Sequence, residues 1–359
     1  MRSKRWHSYK RLLKRRIDWL NPKGRDSDIV LTTRIRLARN LKGYKFITRA
    51  RLEEQSEIIE CFYRAREESP LKANSAFYDI DMMEDIARVI LIERRIIRPE
   101  MAHSEMPAAV VIFRGEYVSF TVNDEDHIRI RSVAAGREVK KAWEKVVRVY
   151  TQLSQRLDFA HNQKLGYLTC SPANVGTGLR VSFFCHLPGL FLTDKLDEVF
   201  KTIASAGITI RGFQDGDKQN IGNIFQISNQ MTLGLSEDEI LYRTENIINQ
   251  VVKAEQGARK DIIETDSLIA LDRVHRSFAV LTNAYLLGII EFISFVSSIR
   301  LGIDLGWITG ITYYELNRLT LYAQPGHLSA SISGEPTEFE VDKARADLVK
   351  SALSNAVLA

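Results

Sequence analysis

Arginine at every second position of strand-like segments is the feature that most restricts this chain. In Thr32-Thr33-Arg34-Ile35-Arg36-Leu37, the two-residue period of a β-strand puts Thr32, Arg34 and Arg36 on one face and Ile35 and Leu37 on the other. In Asn123-Asp124-Glu125-Asp126-His127-Ile128-Arg129-Ile130-Arg131 the same alternation aligns Arg129 with Arg131. A strand extended backward adds His127 and Glu125 to that face. Arg180 opens another strand after the turn Asn174-Val175-Gly176-Thr177-Gly178, and Arg211 precedes Gly212 and a polar loop. Guanidinium groups are planar forks that match phosphate oxygens and stay charged at any working pH. One such pair also reads as the wet face of an ordinary antiparallel sheet, so periodicity alone gives an α+β protein with an anion-binding face.

The remaining chain fills in that class. Strands are expected at 29–37, 128–133, 166–169, 179–185 and 208–212, and 108–122 reads as a hairpin turning at Arg114-Gly115-Glu116. Helices are expected at 52–66, 80–97 and near 137–158. Ser236 followed by Glu239 is a capping box, and from about residue 237 the pattern is helical throughout. Mixed elements followed by helices alone argue for an α+β domain ahead of an all-α one, with a border near residue 260. The run from Phe278 to Val296 is broken by Asn283 and Glu291 and suits a buried helix better than a membrane span.

Charge is uneven. Residues 1–16 hold eight of the 50 Lys and Arg and none of the 45 acids, so the rest of the chain sits near −3. This excludes a globally basic nucleic-acid-coating protein. Read as a helix, the arm aligns Trp6, Tyr9, Leu13, Ile17 and Leu20 opposite its basic residues, a stripe that fits an anionic membrane or a nucleic-acid backbone. It reads equally as a solvated extension or a helix docked on the body. Without an apolar core or cleavage site it is not a secretory signal, and the expected location is the cytoplasm. Cys61, Cys170 and Cys185 are too scattered for a disulfide framework. No Walker loop, H-E-x-x-H, G-x-S-x-G or dinucleotide fingerprint is present.

Four segments carry a resemblance. Thr32 to Asn40, Asn123 to Ile130, Asn174 to Arg180 and Gly222 to Gln230 resemble the ATP:guanido phosphotransferase (guanidino-kinase) superfamily, and within it the bacterial protein-arginine kinases. The likeness runs from about Trp19 to the low 350s. It implies a catalytic domain with an antiparallel sheet flanked by helices over 26–260 and a helical C-terminal domain over 261–359; the charge distribution sets a basic arm over 1–25 ahead of them. Small-guanidine kinases carry a helical domain of about 100 residues ahead of the first arginine motif; here that motif begins at residue 32, and a comparable length follows the catalytic region instead.

By resemblance, ATP with Mg²⁺ is held by Thr32, Thr33, Arg34, Ile35 and Arg36, by Arg95 and Arg129, by Arg180, Val181, Ser182, Phe183 and Phe184, and by Arg211, Gly212, Phe213, Gln214, Asp215 and Gly216. Glu125 takes the place of the catalytic carboxylate that pairs with a substrate guanidinium and accepts its proton. The chain also departs from the family. Asp124 replaces the first Glu of that motif, Gln219 stands where a second catalytic Glu is usual, with Asp215 and Asp217 as nearby substitutes, and Arg95 replaces a nucleotide-contacting His. Ser171 takes the place of a usual thiol. The phosphoarginine-binding motif of the C-terminal domain reads Val341-Asp342-Lys343-Ala344-Arg345-Ala346, which keeps Asp342 and Arg345 and loses the lead arginine. The implied activity is phosphorylation of arginine side chains in proteins. The alternative is an impaired homologue that acts as a nucleotide-binding scaffold. The implied partners are proteins with exposed arginines, a second copy of the chain, a zinc-binding activator and a Clp-type protease in a stress response.

Overall fold

The computed structural model describes residues 9–212, 221–265 and 267–359. Its centre is an eight-stranded antiparallel sheet. The strands are β1 (Val30–Arg39), β2 (Ser75–Asp79), β3 (Ala109–Phe113), β4 (Val118–Val122), β5 (Ile128–Ala135), β6 (Leu179–His186), β7 (Ile208–Gly212) and β8 (Ile224–Asn229). They pair in the order β2-β3-β4-β5-β1-β6-β8-β7. Strict alternation gives the central strands one apolar face. Ile35, Leu37, Ile130, Val181 and Phe183 point from it into a core completed by helices Leu52–Glu67, Val139–Ser154 and Glu237–Glu264. Each fully buried Phe or Ile there contributes roughly 1.5–3 kcal/mol.

Helix Glu237–Glu264 opens on the expected Ser236–Glu239 capping box and passes the expected border at residue 260 without a break. Beyond it, Val274, Phe292, Ile299, Leu316 and Val349 build a second core between helices Leu268–Asn283, Ile289–Asp304, Tyr313–Tyr322 and Glu338–Ala352. A two-residue ladder, Ile308–Thr309 against Val357–Leu358, interrupts the otherwise helical pattern. The apolar run at 278–296 divides between two helices, and among the described residues no helix is long and apolar enough to cross a membrane.

Other expectations change in detail. The segment 80–97 is a 3-10 turn, Ile80–Met82, followed by helix Asp85–Glu93, because the chain leaves the helix at a left-handed Arg95 (φ 54°). Gly166–Tyr167 pairs only with His161–Asn162, outside the main sheet. Strands β2 and β8 were not anticipated. The arm docks rather than continuing as one amphipathic helix. Helix Tyr9–Leu13 ends early, Leu12 is buried against Ile80 and Leu91, and Ile17 and Leu20 pack on Leu321. Arg15 fastens it by donating to the carbonyls of Ile112 (3.0 Å) and Phe113 (2.9 Å). Trp6 lies outside the described residues.

The sheet region and the C-terminal helices are joined at the end of helix Asp85–Glu93, which packs with Ile80, Val110 and Ile112 in a smaller apolar cluster. The Glu93 carboxylate accepts the backbone N–H of Gly326 (2.5 Å) and of His327 (3.0 Å), and His327 Nδ1 lies 2.6 Å away. Arg94 Nε donates to His327 Nε2 at 3.1 Å, so Nδ1 carries the ring proton and donates to Glu93. A side chain at position 326 would stand 2.6 Å from Val89 and 2.9 Å from the Glu93 carboxylate. Gly326→Ala is therefore expected to destabilise the protein by about 1–3 kcal/mol through overpacking, read as a lower urea midpoint; an unchanged midpoint would show that the junction yields.

Candidate active site

Cross-strand register settles which arginines share a face. Arg36 stands opposite Arg131 on β5 and opposite Arg180 on β6. One step along, Arg34 faces Ser182, which faces Ser228. A further step aligns Thr32, Phe184, Gln226 and Arg211 across four strands. Arg129 lies opposite Ala38 and Thr121. Opposed residues in antiparallel strands share a face, with Cβ atoms about 4.5–5.5 Å apart. Arg34, Arg36, Arg129, Arg131, Arg180 and Arg211 therefore all project from the side of the sheet away from the first core. Arg95 joins them from its left-handed corner: its guanidinium lies 4.8 Å from the Phe184 ring, and that of Arg34 lies 4.5 Å from the same ring.

This face carries more positive charge than its acids neutralise. Burial, with Arg129 and Arg180, lowers the Arg36 guanidinium to about 9 against the partial relief of Asp124 and Glu125. Burial lowers Arg131 to about 10, and burial with Arg131, Arg95 and Arg36 lowers Arg34. Nε of Arg34 and both Nε and Nη1 of Arg131 are buried without a hydrogen-bond partner. Like charges held together with unused donors are what a polyanion such as a nucleotide triphosphate satisfies, so the residues present fit ATP.

The loop before β5 leaves one acid available. Asn123 turns the chain with a φ of 59° and donates to the carbonyls of Gln55 (2.8 Å) and Pro107 (3.0 Å). Asp124 is buried and takes Arg98 Nε at 2.9 Å together with Arg129 Nη1. Burial pushes the Asp124 carboxyl up, but Arg129, Arg98 and Arg36 outweigh it and hold it below its ordinary range. Asp126 is buried, accepting the Cys170 N–H and Asn40 Nδ2 at 2.7 Å each. His127 does not join the arginine face. It is fully buried, its Nδ1 accepting the Leu41 N–H (3.0 Å) and its Nε2 donating to the Lys45 carbonyl (2.9 Å). Glu125 alone keeps a half-exposed carboxylate, with Oε2 held by Arg129 Nη2 at 2.8 Å.

The structure thus brings together Thr32, Arg34, Arg36, Arg95, Arg129, Arg180, Ser182, Phe184 and Arg211 on the face that also carries Glu125. Thr33, Ile35, Val181 and Phe183 point the other way. The last three lie in the core, and Thr33 Oγ1 donates to the Gly136 carbonyl at 2.6 Å. Gly212 ends β7, while Phe213, Gln214, Asp215, Gly216, Asp217 and Gln219 lie outside the described residues. In the C-terminal region Val341 and Arg345 are buried. Arg345 donates to the carbonyls of Ala323 (2.8 Å) and Leu287 (2.6 Å) and pairs with Asp342, so its fork holds helix ends together. Sequence reasoning left Arg131 and Arg98 out of the site. The Arg129–Arg131 alternation pointed to the first, and nothing local pointed to the second.

An arginine-faced antiparallel sheet with one open carboxylate defines a guanidino-kinase type of phosphotransferase. The family model described as ATP:guanido phosphotransferase, C-terminal catalytic domain, matches residues 57–258, and that of the protein-arginine kinase McsB C-terminal domain matches 268–357. The protein-arginine kinase of Bacillus mycoides (strain KBAB4) is 37% identical over 93% of this chain and 95% of its own length, and that of Bacillus cereus (strain G9842) 37% over 94% and 95%. Lombricine kinase shares the fold, with a TM-score of 0.59 and 20% identity over 75% of each chain. The substrate-free duplicated taurocyamine kinase of Schistosoma mansoni gives 0.57 and 23% identity over 66% of this chain and 35% of its own. The chain belongs to the ATP:guanido phosphotransferase family, in its protein-arginine kinase branch.

Proposed function

We propose that the protein transfers the γ-phosphate of ATP to arginine side chains of proteins. The observation that carries this is the single sheet face on which five guanidinium groups from β1, β5 and β6 stand together, with the half-exposed Glu125 at one end paired to Arg129. Arg34, Arg36, Arg131 and Arg180 neutralise the phosphate chain, and Arg129, fixed by Asp124, sets the angle of Glu125. Among the described residues no three His, Cys, Asp or Glu side chains stand together as a metal cage. Mg²⁺ arriving with the nucleotide would add positive charge at the phosphates, where the ion is usually held.

A substrate arginine holds its proton far above neutral pH, so a positioned base matters. Glu125 pairs with the incoming guanidinium and aims one nitrogen in line with the γ-phosphorus. As the N–P bond forms and the bond to the β-phosphate oxygen breaks, Oε1 of Glu125 takes the nitrogen's proton and ADP leaves. Most of the gain comes from alignment and charge neutralisation. We assign the second carboxylate to Asp217 or Asp215, the acids nearest Gln219 in sequence. The reading extends to a second copy of the chain, a zinc-binding activator, a Clp-type protease and a cytoplasmic stress response; the match to protein-arginine kinases over almost the whole chain supports it.

Incubation with MgATP and an arginine-rich protein is expected to leave acid-labile phosphate on the protein. Label on free L-arginine alone would favour a small-guanidine kinase, and no label above a Glu125→Gln control would retire the activity.

A further inference from the structure

Two side chains of the loop that carries Glu125 take no part in the transfer and hold a neighbouring segment instead. His127 accepts the Leu41 N–H (3.0 Å) and donates to the Lys45 carbonyl (2.9 Å), and the Tyr44 ring stands edge-on to it at 6.3 Å. Asn123 donates to the Gln55 carbonyl at 2.8 Å. Glu125 lies two residues from each, and two residues of chain reach about 7 Å at most. The segment 41–55 therefore flanks the open carboxylate of the site. Thr48 Oγ1 lies 3.7 Å from Cys170 Sγ, and the Cys170 N–H is tied to Asp126, so the same segment is also fastened on its other side. Internal bonds give it a fixed shape. The Phe46 carbonyl accepts the N–H groups of Arg49 (2.8 Å) and Ala50 (2.9 Å), and Gln55 Nε2 donates to the Ala50 carbonyl at 3.1 Å.

What this platform presents is charge. Residues 42–51 hold Lys42, Lys45, Arg49 and Arg51 and no acid, and all four are exposed. Among the described residues none of the four forms an ion pair. Glu54, on the helix that follows, is engaged with the backbone, accepting the Lys45 N–H at 2.9 Å. Exposed Phe46 and Leu52 interleave with the cations, a mixture that suits a peptide better than a small inorganic anion. The reaction itself supplies the reason for such a surface. An incoming guanidinium approaches a face that already carries excess positive charge and is repelled by it. Acids carried on the same stretch of substrate, settling on the exposed cations, offset that repulsion and steer the approach.

We propose that residues 42–51 are a docking platform for acidic stretches beside the target arginine, so that the favoured protein substrates carry Asp or Glu next to the arginine that is phosphorylated. This deepens the proposed function and rests on it. The test compares two peptides with the same central arginine, one flanked by Asp and Glu, the other by Asn and Gln, on the full chain and on a variant carrying Lys45→Gln, Arg49→Gln and Arg51→Gln together. Wild-type kcat/KM is expected to favour the acidic peptide about tenfold, through KM, as three exposed ion pairs allow. The variant should lose that preference and keep its rate on the neutral peptide, and high salt should erase the preference in the wild type. Equal kcat/KM for the two peptides in the wild type, or an undiminished preference in the variant, would overturn the platform. So would tighter binding of a single-stranded oligonucleotide of equal charge, which would make the surface one for nucleic acid. Fluorescence anisotropy of labelled peptide reads binding without chemistry. A protein that labels neither peptide yet binds the acidic one through these three residues would lose the kinase reading and keep the docking surface.

Discussion

Glu125→Gln is expected to slow arginine phosphorylation by about 10²–10⁴-fold, the range for losing a positioned general base, while MgATP affinity stays within about twofold. The asymmetry follows from what Glu125 touches. Its one described ion pair is with Arg129, and Arg129 keeps a second, buried anchor in Asp124, so the cradle survives the substitution. A glutamine amide can still hydrogen-bond a substrate nitrogen but cannot take its proton or balance its charge. Stability should change little, because the side chain is half-exposed and sits in a loop whose shape is set by Asn123, Asp126 and His127. Initial rates with a protein substrate, alongside calorimetric MgATP binding, check both halves. Activity within tenfold of wild type would assign proton removal to another group, and Asp215 and Asp217 would be next to replace.

Asp124 invites the opposite expectation from its neighbour. Replacing it would leave Arg129 with one partner and Arg98 with none of its short contacts to that carboxylate, so the loss would fall on the placement of Glu125 rather than on proton transfer. The arginine face was legible in the sequence because the two-residue period sorts side chains without reference to the rest of the fold. The same rule turns Thr33, Ile35, Val181 and Phe183 to the opposite face, although contiguous motif residues look like one site. Register was not legible. That Arg131 and Arg180 flank Arg36 depends on which strands pair, and that pairing is decided by the core beneath. The Arg98–Asp124 pair spans 26 residues and two elements, and the Glu93–His327 junction spans 234; neither leaves a local pattern. Strand β2 is short, and its Ser75-Ala76-Phe77-Tyr78-Asp79 has no β-branched residue to announce it.

Arg36→Met is expected to lower kcat/KM by about a thousandfold or more and, at the same time, to raise Tm without ligand by about 3 °C. The first effect follows from removing the central fork of a phosphate cradle, a contact strongest as charge develops in the transition state. The second follows from the same geometry. Arg36 lies between Arg131 and Arg180 on neighbouring strands, and burial with Arg129 and Arg180 lowers it to about 9. A group whose pKa is lower folded than unfolded binds its proton less well in the native state. Its charge therefore costs stability at every pH below about 9, and that cost fades only as pH climbs above it. At neutral pH a guanidinium cannot escape by deprotonating, so the strain is relieved by an anion or by mutation. Methionine keeps much of the stem's volume and removes the charge, for a gain on the order of 1 kcal/mol, or roughly 2–4 °C for a domain of this size. The gain should shrink in high salt, which screens the repulsion. MgATP, which raises Tm by binding only the folded wild-type protein, should raise the variant's much less. A variant with lower Tm and an undiminished nucleotide shift would mean that Arg36 supports the fold, and the site would have to be sought elsewhere on the sheet.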